Sequence, residues 1–205
     1  MFSCCFKANA AEEAWQIDPI DVGAGERQEL VIPDASNKTK MGGDDGRTPL
    51  HNAIVDRNAA EVSKLLAAGA DPNASTNSKT KPLHMAAANG LDGIVQQLLD
   101  ARADVDAPDY SKSTPLHHAA ENGYAEISQR LLGAGAQVNS LDARERTPLH
   151  NAAAKAHESV AEVLISYGAD VNLKSAAGYT PYAMAEDWGS ASMCQLLEAK
   201  GGKGR

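Results

Sequence analysis

A four-residue motif returns every 33 positions along this chain, as Thr48-Pro49-Leu50-His51, Lys81-Pro82-Leu83-His84, Thr114-Pro115-Leu116-His117, Thr147-Pro148-Leu149-His150 and an altered Thr180-Pro181-Tyr182-Ala183. A second marker keeps the same interval: Gly69-Ala70-Asp71-Pro72-Asn73, Arg102-Ala103-Asp104-Val105-Asp106, Gly135-Ala136-Gln137-Val138-Asn139 and Gly168-Ala169-Asp170-Val171-Asn172. A fixed period of this length marks a repeat architecture, in which each unit is one supersecondary element and the core forms between neighbours.

The residues of each unit read as helix, tight turn, helix and polar loop. Thr before Pro starts a helix, because the hydroxyl caps free amide hydrogens and Pro at the first helical position lacks a donor that would go unsatisfied. In the third copy Leu116, Ala119 and Ala120 follow at helical spacing, and Asn122-Gly123 gives the stop. Glu126-Ile127 through Leu131-Leu132 forms a second amphipathic run, ended by Gly133 and Gly135. Two helices this short cannot bury their apolar faces alone, so copies must stack. Aromatic residues make up only 4% of the chain, so that core is built from Ala, Leu, Val and Ile. Ala53, Ala86, Ala119, Ala152 and Ala185 share one repeat position and permit close helix approach.

The T-P-L-H motif, the G-A-D-V-N marker and their common period resemble the ankyrin-repeat family over residues 45–205. The resemblance implies an all-α solenoid of stacked antiparallel helix pairs with β-hairpin loops projecting to one side. Its repeats are 45–77, 78–110, 111–143, 144–176 and a shortened 177–205. Lys81 departs from the motif Thr, which predicts a helix start weaker by about 0.5–2 kcal/mol. Repeat one has Arg57-Asn58 in place of an interhelical Gly, and Pro72 where the hairpin usually has Val. Repeat five lacks the His and the hairpin, and its polar Glu186, Asp187, Ser190, Ser192 and Gln195 suit a C-terminal cap.

Net charge is −8, with residues 1–44 and 45–205 each contributing −4. That balance argues against nucleic acid, whose phosphates require a Lys/Arg surplus. Cys4, Cys5 and Cys194 give no disulfide framework, so a reducing, cytoplasmic setting is expected, with the nucleus left open. Neither a signal peptide nor a membrane-spanning run is expected.

His51, His84, His117 and His150 invite a metal or catalytic reading. Equivalent positions in stacked repeats stand about 8–10 Å apart, however, while zinc requires nitrogens at about 2.0–2.1 Å. All four are therefore read as structural histidines bonding to backbone and to the motif Thr. His118, beside the motif, is expected at the helix-lined groove, and His157 in an interhelical turn. Cys194 reads as a small apolar filler. No phosphate-binding loop or catalytic constellation is present, so a non-enzymatic chain with no cofactor or metal is expected.

The family resemblance implies that partners contact the loop tips and the exposed face of each first helix. Mapped position by position, the basic and aromatic candidates at the tips are Arg47, Lys79, Tyr110, Lys112, Arg144, Arg146 and Tyr179. From the helix face come Asp56, Asn89, Glu121, Asn122, Lys155, Asp187 and Trp188. Interface energy concentrates in Trp, Tyr and Arg, which ranks Tyr110, Arg144, Arg146, Tyr179 and Trp188 first. Arg144, Arg146 and Lys155 form a basic cluster, which points to an acidic segment on the partner protein. The chain is expected to act as an adaptor, scaffold or inhibitor, itself a monomer; a regulatory subunit of an enzyme is the same surface put to another use.

Residues 1–44 lack the repeat and read as a largely disordered tail. The only two phenylalanines, Phe2 and Phe6, bracket Cys4 and Cys5 there. Acylation of both cysteines would tether the chain as a peripheral membrane scaffold, since two acyl chains anchor where one does not. Trp15, Ile17, Ile20 and Val22 form an apolar set that would alternatively cover the first repeat.

Overall fold

The computed structural model describes residues 45–204, and the cysteine pair and the apolar set of the tail lie outside them. The described residues form ten helices in five pairs: α1 (Pro49–Val55) with α2 (Ala59–Ala67), α3 (Pro82–Ala88) with α4 (Asp92–Asp100), α5 (Pro115–Glu121) with α6 (Ala125–Gly133), α7 (Pro148–Ala154) with α8 (Glu158–Ser166), and α9 (Pro181–Asp187) with α10 (Ala191–Ala199). First helices stack on first helices and second on second, in chain order.

Each first helix begins as the motif requires, with the residue before Pro in extended backbone and Pro at the first turn. Each runs seven residues and then turns sharply. The turn passes through left-handed backbone at Arg57, Gly90, Gly123, Ala156 and Gly189. At Gly90 and Gly123 glycine is required twice over, because a Cβ would come within 2.7 Å of the Tyr124 ring and of the His157 ring of the next repeat. Arg57 and Ala156 face no such ring; the residues in the corresponding position of the following repeat are Leu91 and Ser190. Asn58 supplies its own cap, its side chain accepting the Glu61 amide hydrogen at 3.1 Å.

The core is a continuous column. Leu83, Leu116 and Leu149 of the motif and Ala86, Ala119, Ala152 and Ala185 of the small-residue row are all 0–1% exposed. Val62, Val95, Leu98, Leu131, Val160, Leu164, Met193 and Leu197 fill the layer between the helix rows. Full burial of each leucine contributes about 1.5–3 kcal/mol relative to exposure. Across the second-helix row Arg130 adds a forked bond to Asp92, at 2.7 and 2.8 Å, joining repeats two and three.

Three local features sharpen this picture. The loops are tight turns, closed by hydrogen bonds such as Asp109 N–H to the Ser113 carbonyl and Asp142 N–H to the Arg146 carbonyl at 3.0 Å, and no strand forms among the described residues. Repeat five keeps part of the second marker: Gly201-Gly202-Lys203 occupies the register of Gly168-Ala169-Asp170. Asn172 binds it there, donating to the Gly201 carbonyl at 3.1 Å and accepting from Lys203 N–H at 3.0 Å. At Lys81 the hydroxyl is lost, yet His84 Nδ1 still accepts the Lys81 amide hydrogen at 3.2 Å, and the Lys81 ammonium reaches Asp104 at 3.2 Å.

Candidate protein-binding surface

The loop tips are held from beneath by the motif histidines. In repeat three, His117 Nδ1 accepts the Thr114 amide hydrogen at 3.2 Å and lies 2.9 Å from the Thr114 hydroxyl. Nδ1 is thereby an acceptor, so Nε2 carries the hydrogen and donates to the Arg146 carbonyl of the next repeat at 2.9 Å. His51, His84 and His150 make the equivalent bond to Thr80, Ser113 and Tyr179 at 3.2, 3.1 and 2.9 Å. Each histidine thus ties its own helix start to the following loop. Burial pushes all four below the ordinary imidazole value, and the carbonyl bonds only partly offset it. His84 falls furthest, to about 4, from burial and then from the charge of His118 beside it.

His118 is partly buried between the motif histidine of the preceding repeat and the loop at Asp109. Its Nε2 is 2.9 Å from Asp109 Oδ2, and its ring meets His84 edge-on at 5.7 Å. Asp109 in turn organises the loop, Oδ1 accepting from Ser111 and Ser113 N–H at 2.7 and 2.9 Å. Asp142 does the same one repeat later, accepting from Arg144 and Arg146 N–H, both at 2.8 Å. Burial pushes the Asp142 carboxyl up, but those amides and the Arg146 guanidinium outweigh it and hold it below the ordinary range. Neither aspartate was among the sequence candidates. Their shared register, 33 residues apart, was the available signal.

The candidates fall into two rows. The tip row is stitched along its length: Asn77 N–H donates to Asp45, Tyr110 to Ser78, Ala143 to Ser111 and Ala176 to Arg144, at 2.9–3.1 Å. On it Lys79, Lys112 and Arg144 are exposed, and Tyr110 is 79% exposed. Arg47 is paired with Asp45 at 2.8 Å. Arg146 is half-buried and binds Asp142 through Nε and Nη2 at 2.9 and 2.8 Å, so of the three basic residues Arg144, on the tip row, and Lys155, on the second row, carry charges unpaired among the described residues. Tyr179 is half-buried, its carbonyl held by His150.

The second row runs along the first-helix C-termini. Asp56, Asn89, Asn122, Lys155 and Trp188 occupy the five C-cap positions, all exposed, with Trp188 at 72%. Asn89 and Asn122 turn back to donate to the Met85 and His118 carbonyls at 2.7 and 2.8 Å. Glu121 and Asp187, one residue before the cap, are exposed. Val55, Leu141 and Tyr167 are further exposed apolar side chains, at 45%, 49% and 44%. Cys194 is half-buried in α10, a free thiol raised above its ordinary value by burial and by Glu186 and Glu198. Among the described residues no group of three His, Cys, Asp or Glu side chains could hold a metal ion, and no helix is long and apolar enough to cross a membrane.

A search of curated proteins found no match. The family model described as "Ankyrin repeats (3 copies)" matches in four overlapping registers, at residues 27–109, 57–142, 83–175 and 116–203. This fold generally serves as a non-enzymatic protein–protein interaction module. The chain belongs to the ankyrin-repeat family.

Proposed function

We propose that this protein is an adaptor or inhibitor that grips another protein along the groove between its loop tips and its first-helix C-termini. The observation that carries the reading is the exposure of Trp188 at 72% and Tyr110 at 79% on those two rows. Large aromatics left in water at registered positions are the residue types that dominate interface energy. Polar neighbours at Glu121, Lys155 and Asp187 supply the rim that sets register. The test is affinity capture of cellular partners with the full chain and with Lys155→Ala/Trp188→Ala. Loss of a partner from the variant, at unchanged helicity, supports the surface; an unchanged partner set removes it.

The tether reading belongs to the same proposal as its cellular setting, in the cytoplasm at a membrane surface. It rests on the adjacent Cys4 and Cys5 between two phenylalanines. Fractionation of Cys4→Ser/Cys5→Ser tests it: the double variant leaves the membrane fraction if the cysteines carry acyl chains, and an unchanged distribution ends the idea.

A further inference from the structure

One tip position takes left-handed backbone in every repeat: Gly46 (φ 76°), Lys79 (58°), Lys112 (56°), Glu145 (55°) and Gly178 (81°). The outer repeats place glycine there, which adopts this backbone freely. The three inner repeats place a long charged residue, which does so only at an energetic penalty. The fold gains nothing from those side chains. The bonds that close the turn come from their backbone N–H groups, to Thr76, Asp109 and Asp142 carbonyls at 3.0 Å, and the side chains themselves are exposed.

Charge gives the row a direction. Asp45 neutralises Arg47, and Asp142 neutralises Arg146. The remaining tip cations are Lys79, Lys112 and Arg144, one in each of three consecutive repeats of a protein whose net charge is −8. Neighbouring tips are hydrogen-bonded to one another, so Lys79 and Lys112, which share one register, follow the repeat spacing, about 8–10 Å for stacked helices, while Arg144 stands one residue earlier in the next tip, in the register of Ser78 and Ser111. A polyproline-II chain has three residues per turn and a rise of about 3.1 Å per residue, so every third side chain returns to one edge after about 9 Å. Tyr110, exposed in the tip that carries Lys112 and hydrogen-bonded through its backbone N–H to Ser78 beside Lys79, offers the flat ring on which such chains lie.

We propose that the tips of repeats two to four bind an extended, polyproline-II-like segment of a partner protein that carries a carboxylate at every third residue, with Lys79 and Lys112 meeting carboxylates one period apart, Arg144 extending the cationic row into the next tip and Tyr110 covering the backbone. This rests on the protein-binding reading above and names the chemistry of its partner. Glu145, inside the same row, repels a continuous polyanion, which favours spaced carboxylates over nucleic acid, with its charge about every 1.7 Å, or an anionic bilayer.

The probe is a labelled peptide of repeated Glu-Pro-Pro triplets, titrated with the full chain at low salt and read by fluorescence anisotropy. The expected result is saturable binding, weaker by about tenfold for Lys79→Glu/Lys112→Glu. A peptide of identical composition with its glutamates in one block should bind at least about fivefold more weakly. Lys79→Gly/Lys112→Gly should raise the melting temperature and yet weaken binding, which a purely structural role for the two lysines cannot give. Equal affinity for the blocked peptide, preferential binding of RNA or of phosphatidylserine vesicles, or unchanged binding by the glycine variant each overturn the proposal. If it fails while Lys155→Ala/Trp188→Ala still loses a cellular partner, only the partner chemistry is wrong; if that partner is also retained, the binding surface itself is wrong.

Discussion

The Tyr124 ring lies so close to the Gly90 backbone that a Cβ at Gly90 would stand 2.7 Å from both Cε1 and Cζ. Gly90 also has φ +73°, so Gly90→Ala adds a collision to left-handed strain. The expected loss is about 2–4 kcal/mol, the range of overpacking combined with strain. Gly189 has the same φ but nothing within 4 Å of its Cβ position, so Gly189→Ala isolates the strain and should lose only about 1–2 kcal/mol. Urea denaturation of both variants checks this. Tyr124→Leu should partly rescue Gly90→Ala, because it recreates the pairing of Arg57 with Leu91.

Acid should loosen the stack before the carboxylates titrate. The four motif histidines have folded values below the unfolded one, so the unfolded chain binds more protons as pH falls. Their contribution is complete above about pH 6.5 and is lost as pH drops below it. His84, lowered to about 4, alone accounts for about 3 kcal/mol across that window. Protonation also places a hydrogen on Nδ1, where it confronts the motif amide hydrogen. Denaturant midpoints between pH 8 and pH 4.5 should fall steadily below pH 6.5; a flat profile contradicts the neutral tautomer.

Lys81→Thr should stabilise the chain by about 0.5–1 kcal/mol, because a hydroxyl regained beside His84 outweighs one partly exposed ion pair. Equilibrium unfolding with a higher midpoint and unchanged slope is the expected result. A lower midpoint would show that the Lys81 ammonium, 3.2 Å from Asp104, contributes more than the cap it replaced.

Arg146 and Arg144 should separate cleanly. Arg146→Ala leaves Asp142, only 5% exposed, without its guanidinium, and should cost about 1–3 kcal/mol. Arg144→Ala removes an exposed side chain and should stay within about 0.5 kcal/mol. Thermal melts distinguish the two; equal effects would mean that the Asp142 pair has no structural weight.

The repeats, the helix starts and the histidine roles were legible because each rests on chemistry local to the motif. Thr before Pro caps whatever follows it, and a His three residues on reaches back to the same cap. Arg146 was not legible as a structural residue. Its partner Asp142 lies four positions earlier in a loop whose turn, and not its composition, brings them together. Nor did Lys79, Lys112 and Glu145 announce left-handed backbone, since only Gly46 and Gly178 in the same register hinted at it. The ring contacts at Gly90 and Gly123 depend on how one repeat docks on the next, which no single unit encodes.

Site-specific photo-crosslinking in cells tests the binding surface most directly. A photoreactive phenylalanine analogue replaces Tyr110, Trp188 or, as a control, Gln129, which is exposed on α6 of the second-helix row. Adducts to the same partner from positions 110 and 188, with none from 129, are the expected result. Adducts from 129 alone, or equally from all three, would contradict a partner held along the loop tips and first-helix C-termini.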